Sequence, residues 1–284
     1  MDAADQGPTG NSVQLNSLQN GAAMKLHEAR ILIVDDEPDL REIFAQQLKY
    51  FGYSKVRTAA DGKAAIVAIQ AEPIDLLISD TQMPVMDGIT LVRRLHQLGI
   101  HAPIILFASG FGDVEVSEMY DLGAEAILAK PLRREEFLRC IERALADRSA
   151  LWQDRMKSPP RQSLMTKVEA VNEGLGDGED SGNILRLGRG GFSVQTRTPL
   201  RLGRVQFECA LPNSFVDDGP HTLSGQGMVR WVHRDSHFVG IEFVYLDPSC
   251  RTWVANEIAT RPTHSFIPGR GPARRAGALA RSKS

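Results

Sequence analysis

The chain is short of cysteine, of aromatic residues and of net charge, and each shortage removes a class of protein. Its 284 residues hold 3 cysteines, Cys140, Cys209 and Cys250. An odd number so widely spaced cannot found a disulfide framework, so a reducing compartment, the cytoplasm, is expected. With 6% aromatic residues and a formal net charge of -2, there is no general field to draw in nucleic acid or a membrane surface. No apolar run reaches the roughly 20 residues that cross a bilayer, and no apolar segment of the secretory kind follows the first residues. The 42% hydrophobic residues that are present suffice for about two cores.

The chain is organised around Leu76-Leu77-Ile78-Ser79-Asp80, a short apolar run closed by turn residues. Such a run reads as a buried strand that delivers Asp80 to its carboxyl end, where open α/β sheets place their chemistry. A second run, Ile31-Leu32-Ile33-Val34, ends in Asp35-Asp36. If these strands are neighbours, three carboxylates converge, and they repel one another unless a cation joins them. Mg²⁺ suits such oxygen ligands and leaves Asp80 free to attack a phosphoryl group. Asp35 and Asp36 could instead simply cap the helix that begins near Pro38.

Around these acids the pattern alternates strand and helix. Lys55–Ala59, Pro103–Phe107 and Ala126–Ala129 read as further strands. Leu40, Ile43, Phe44, Leu48 and Phe51 recur at helical spacing, as do Leu91, Val92, Leu95 and Leu98, the latter four expected to face inward. Phe137, Leu138, Ile141, Ala144 and Leu145 mark a last helix, with Lys130-Pro131 between it and the fifth strand.

With Asp35, Asp36, Asp80, Ser109 and Lys130 in this order, the segment 29–148 resembles the receiver domains of two-component response regulators. The resemblance implies a flavodoxin-like, doubly wound, parallel five-stranded sheet. It implies that Asp80 accepts a phosphoryl group from a histidine kinase in a bacterial phosphorelay, and that Asp35, Asp36, Asp80 and the main-chain carbonyl of Gln82 hold Mg²⁺. It makes Lys130 the phosphate-reaching cation, followed by a cis X-Pro bond, and Ser109 the hydroxyl switch. Ser109 stands 21 residues before Lys130, one fewer than is usual in the family. Either the intervening helix is short, or Ala108 occupies the switch position; the Ser-Gly-Phe-Gly-Asp context favours Ser109. Ile127 stands where the family often carries an aromatic residue.

Residues 1–28 are polar and expected to be a disordered leader. Residues 149–182, with Ser158-Pro159-Pro160 and Gly174–Gly182, read as a linker in which Leu164–Val171 could pair with the β-rich segment after it. From residue 183 to 260 the pattern becomes all-β. Val205, Phe207, Cys209 and Leu211 alternate with polar residues, Val229 and Trp231 and then Val239, Ile241 and Phe243 continue the period, and Cys250, Val254 and Ile258 mark a terminal helix. About six strands and a helix suggest a small barrel. Gly225–Val232 with Val239–Phe243 resembles the second half of a PilZ domain, a family that commonly binds cyclic di-GMP. The ligand positions depart from that family's pattern. Its arginine pair falls on Lys157 and Arg161, and lysine lacks the guanidinium fork. Its second motif falls on Arg186, Gly188 and Gly191, where a cation replaces an acceptor and a hydroxyl is missing. The tail 261–284 carries six Arg and Lys and no acid, and is expected to be disordered.

These readings leave two functional classes. The first is a signalling protein, not an enzyme, in which phosphorylation of Asp80 changes what the β-rich domain binds, with a protein target, or cyclic di-GMP, as the alternatives for its output. The second is an aspartate-nucleophile phosphatase. It needs a second acid two residues after the nucleophile, and Gln82 cannot act as one. No helix-turn-helix pattern follows the receiver-like segment, so DNA binding is not expected.

Overall fold

The computed structural model describes residues 27–108, 113–146, 151–158, 160, 162–171, 184–197, 199–212, 219–233, 237–260 and 263–269. The expected leader 1–28 thus falls almost wholly outside the described residues, as do Ser109 and Arg161.

The first half alternates strand and helix: β1 (Arg30–Val34), α1 (Pro38–Tyr50), β2 (Lys55–Ala59), α2 (Gly62–Ala71), β3 (Leu76–Asp80), α3 (Gly88–Gln97), β4 (Ile104–Ala108), α4 (Asp113–Asp121), β5 (Ala124–Ala129) and α5 (Arg134–Leu145). The strands form one sheet in the order β2-β1-β3-β4-β5, the flavodoxin-like order. Ile31–Val34 and Leu76–Asp80 are wholly buried, as continuous apolar runs in a sheet covered on both faces must be. The helices begin where turn chemistry allows: Pro38 occupies the first turn of α1, and the side chains of Asp61 and Asp87 accept the first free amides of α2 and α3. Phe44, Leu48, Leu91, Val92 and Leu95 are buried as the helical spacing requires. Leu98 is not: it lies past the last turn of α3 and is 40% exposed, and Ile43 is 47% exposed.

The second half builds a seven-stranded sheet from β6 (Gln162–Lys167), β7 (Ala170–Val171), β8 (Ile184–Leu187), β9 (Gly191–Gln195), β10 (Gly203–Ala210), β11 (Thr222–His233) and β12 (Phe238–Leu246), followed by helix α6 (Pro248–Thr260). The order is β6-β10-β11-β12-β9-β8-β7, so the two edge strands are consecutive in sequence and the sheet curls on itself. Val205, Phe207 and Cys209 face inward and Arg204, Gln206 and Glu208 outward, as their alternation requires. Phe192, Phe207 and Phe243 fill the centre with ring centroids 5.0 to 6.1 Å apart.

Two expectations change here, and one left open is answered. Within the stretch read as linker, Leu164–Val171 does pair with the β-rich segment: it contributes to strands β6 and β7, with β6 parallel to β10 over Val205–Ala210, β7 parallel to β8, and Leu164 buried. The stretch read as a disordered tail contains Phe266 and Ile267, 3% and 0% exposed. Trp231 does not share a face with Val229. A β-bulge at Arg230 pairs Val229 with Ile241 and Trp231 with Gly240, and the extra residue turns Trp231 to the opposite face.

By compactness the chain divides into residues 1–108 with 130–146, and residues 109–129 with 147–284. By this measure helix α4 and strand β5 group with the β-rich part.

Candidate functional site

Strands β1 and β3 are parallel neighbours with Val34 opposite Ser79, so the next residue of each chain, Asp35 and Asp80, emerges at the same edge. The sheet order reverses between these strands, and side chains at such a switch point face an open crevice. Asp35 and Asp80 are buried and Asp36 is exposed. One carboxylate oxygen from each lies within 4.8 Å of the others.

Lys130, directly after β5, reaches into this cluster. Its Nζ donates to Asp80 Oδ2 at 2.5 Å and to Asp35 Oδ2 at 3.2 Å, and the Lys130–Pro131 peptide is cis. Burial alone would lower the ammonium pKa. The hydrogen bond and charge of Asp80, joined by those of Asp35, outweigh it and raise the pKa above the ordinary lysine value.

Backbone geometry fixes both acids. Asp35 Oδ1 accepts from Glu37 N at 2.9 Å and its carbonyl accepts from Arg41 Nη1 at 2.5 Å. One oxygen of Asp35 thus serves the entry to α1, as the capping alternative has it, while Oδ2 remains with Lys130. Asp80 Oδ1 accepts from Gln82 N at 3.2 Å, and the side chain of Gln82 is exposed. Ser79 Oγ donates to Asp80 O at 2.9 Å. Gly88 lets the loop close over the strand end, since a Cβ there would lie 2.1 Å from Asp80 O. Ser79 and Arg41 were not singled out from the sequence, because a strand serine and a helix arginine carry no signal until the register is known.

Three carboxylates with no nitrogen or sulfur donor suit a hard cation, and the exposed Asp36 leaves room for waters on it. The donor set thus fits Mg²⁺.

The positions read for a nucleotide in the β-rich half have other surroundings. Gly188 N donates to Gly191 O at 2.8 Å, closing the turn between β8 and β9. A Cβ at Gly191 would lie 2.2 Å from Ile241 O. Arg186 Nη1 donates to Gly269 O at 3.4 Å, with its guanidinium over the Phe238 ring, and Lys157 is exposed.

Comparison with known proteins bears on the first half. Residues 31–142 match the response regulator receiver domain family. Over 102 residues the chain is 36% identical to the sensor histidine kinase RcsC of Salmonella typhimurium, covering 36% of this chain and 11% of the kinase. Over 109 residues it is 36% identical to the response regulator MprA of Mycolicibacterium vanbaalenii, covering 38% of this chain and 47% of MprA. The chemotaxis response regulator CheY4 of Vibrio cholerae aligns at 33% identity and a TM-score of 0.39, covering 41% of this chain and 98% of that one. The chain spans about a tenth of the kinase and under half of MprA. The family match coincides with the strands that assemble the acidic cluster and Lys130, and residues 31–142 are a response regulator receiver domain.

Proposed function

We propose that this chain is a response regulator whose Asp80 is phosphorylated by a sensor histidine kinase, and that it acts in the cytoplasm through its β-rich half. The observation that carries the reading is the pair of bonds from Lys130 Nζ to Asp80 and Asp35 at the carboxyl edge of the sheet. An Asp80 oxygen attacks the phosphorus of a phosphohistidine, the P–N bond breaks as the O–P bond forms, and the departing imidazole takes up a proton from solvent. Asp35, Asp36, Asp80 and the Gln82 carbonyl would hold Mg²⁺, which neutralises charge on the transferred phosphoryl oxygens. Lys130 stands ready as a second cation for those oxygens. Ser109, as the hydroxyl that reads the phosphoryl group, would couple the chemistry to shape.

The chain is not an enzyme in this reading, because Gln82 cannot protonate a leaving group. The β-rich half, PilZ-like in its β11–β12 pattern, signals to a protein partner. Cyclic di-GMP is disfavoured because Arg186 supplies a donor where guanine recognition needs an acceptor.

Intact mass after incubation with acetyl phosphate and Mg²⁺ tests the proposal. One phosphoryl group is expected on the wild type and none on Asp80→Asn; equal labelling of the two would refute it.

A further inference from the structure

The bulge at Arg230 leaves Trp231 and Phe238 on the outer face of the β-rich sheet, with ring centroids 5.9 Å apart. Exposed aromatics of this size are costly, and here they are covered from within the same compact unit. The cover consists of Tyr120 from α4 and of Phe266 and Ile267, with Val116 and Ile127 at the margin.

The segment Thr263–Gly269 is seated by backbone and side chains together. Phe266 N donates to Tyr120 O, Gly190 N to Phe266 O and Arg189 N to Ser265 O, each at 2.9 Å. Asp121 Oδ1 accepts from Ser265 Oγ at 2.7 Å and from Gly269 N at 3.0 Å. The Arg189 guanidinium binds Glu125 at 2.7 Å, Gly123 O at 3.1 Å and His264 O at 3.3 Å. The β8–β9 turn is shaped for this occupant: a Cβ at Gly190 would lie 1.9 Å from the Phe266 ring, and one at Gly188 would lie 2.5 Å from Phe266 O. These contacts involve the same Arg186–Gly191 stretch in which the sequence suggests a nucleotide motif.

We propose that Thr263–Gly269 is a ligand carried in cis: it fills a peptide-binding site formed by the β8–β9 turn, Trp231 and Phe238, and its seating clamps α4 there. Release of the segment frees α4 and uncovers the two aromatics, which makes the site a switch within the second unit. The ligand class is an extended Ser-aromatic-aliphatic segment with a following glycine amide, read by Asp121, by the two glycines and by the apolar face. Phosphorylation of Asp80 is a separate variable, and the test is made without a phosphoryl donor.

The test is amide hydrogen exchange on the full chain carrying Gly190→Ala, which places a methyl in the Phe266 ring position without altering the segment itself. Exchange in 263–269 and in α4 from 116 to 121 is expected to quicken at least tenfold, with Val205–Cys209 of β10, inside the other core, unchanged. A segment that exchanges fast while α4 keeps its wild-type protection would overturn the proposal. So would a segment that keeps its own protection. If β10 also loses protection, Ser265→Ala decides, because it deletes only a hydroxyl within hydrogen-bond reach of the Asp121 carboxylate, at 2.7 Å, and of the Asp121 main-chain carbonyl, at 2.8 Å. About tenfold faster exchange in α4 is then expected, and unchanged α4 protection overturns the clamp.

Discussion

Lys130 Nζ stands 2.5 Å from Asp80 Oδ2 and 3.2 Å from Asp35 Oδ2, so one ammonium ties the ends of two parallel strands to the residue that follows a third. Two buried carboxylates at such a distance would repel strongly, and the lysine offsets that repulsion. In the proposed phosphorylated state the same ammonium has a new anion to follow.

Asp36→Ala and Lys130→Ala should therefore separate labelling from response. Asp36→Ala removes an exposed carboxylate from the cation site and should abolish mass labelling by acetyl phosphate at millimolar Mg²⁺. Lys130→Ala should still gain one phosphoryl group yet show a smaller labelling-dependent change in amide exchange than wild type.

The Arg30–Asp75 pair gives a pH signature. Arg30 Nη2 lies 2.8 Å from Asp75 Oδ1, and the side-chain hydrogen bond from Arg30 is the largest of the causes that hold the Asp75 carboxyl below its ordinary 3.8. A depressed carboxyl pKa stabilises the fold above the unfolded value and ceases to do so as pH falls through the folded one. The urea midpoint of Arg30→Met should lie below wild type at pH 7, and the gap should narrow as pH drops below 3.8. A gap that stays constant with pH would exclude the pair as its cause.

Phe207 is fully buried between Phe192 and Phe243. Phe207→Ala should cost about 3–5 kcal/mol in urea unfolding of the β-rich half, the range for deleting a buried ring and leaving a cavity.

The thiol of Cys209 is buried, and that burial, with a smaller contribution from Glu208, pushes its pKa far above the ordinary thiol range. In the native chain it should resist iodoacetamide and become labelled only in denaturant, read by peptide mass spectrometry. Cys140, half-buried on α5, should be alkylated first.

Isothermal titration of the full chain with cyclic di-GMP should be flat at micromolar protein. A dissociation constant near or below a micromolar would show that the occupied β8–β9 turn still admits a nucleotide.

The sequence by itself made the acidic edge legible. Continuous apolar runs that end in Asp35-Asp36 and in Asp80 read as buried strands that present their last residues at the sheet edge, and the resemblance of residues 29–148 to receiver domains supplied the strand order and the place of Lys130. Alternation likewise determined the inner face of β10, where Val205, Phe207 and Cys209 are all buried. Tertiary structure decided what periodicity cannot express. One extra residue at Arg230 reverses the face of Trp231, and no pattern of residue types announces a bulge. Leu164 enters the core because β10 offers β6 an edge, although its neighbours read as linker. Phe266 and Ile267 are buried in a stretch whose composition is that of a disordered tail, because Gly188 and Gly190, distant in sequence, leave the space that Phe266 fills and because Ile267 joins the cluster of Tyr120, Trp231 and Phe238. Local composition sets which residues can be buried; the long-range partner decides which of them are.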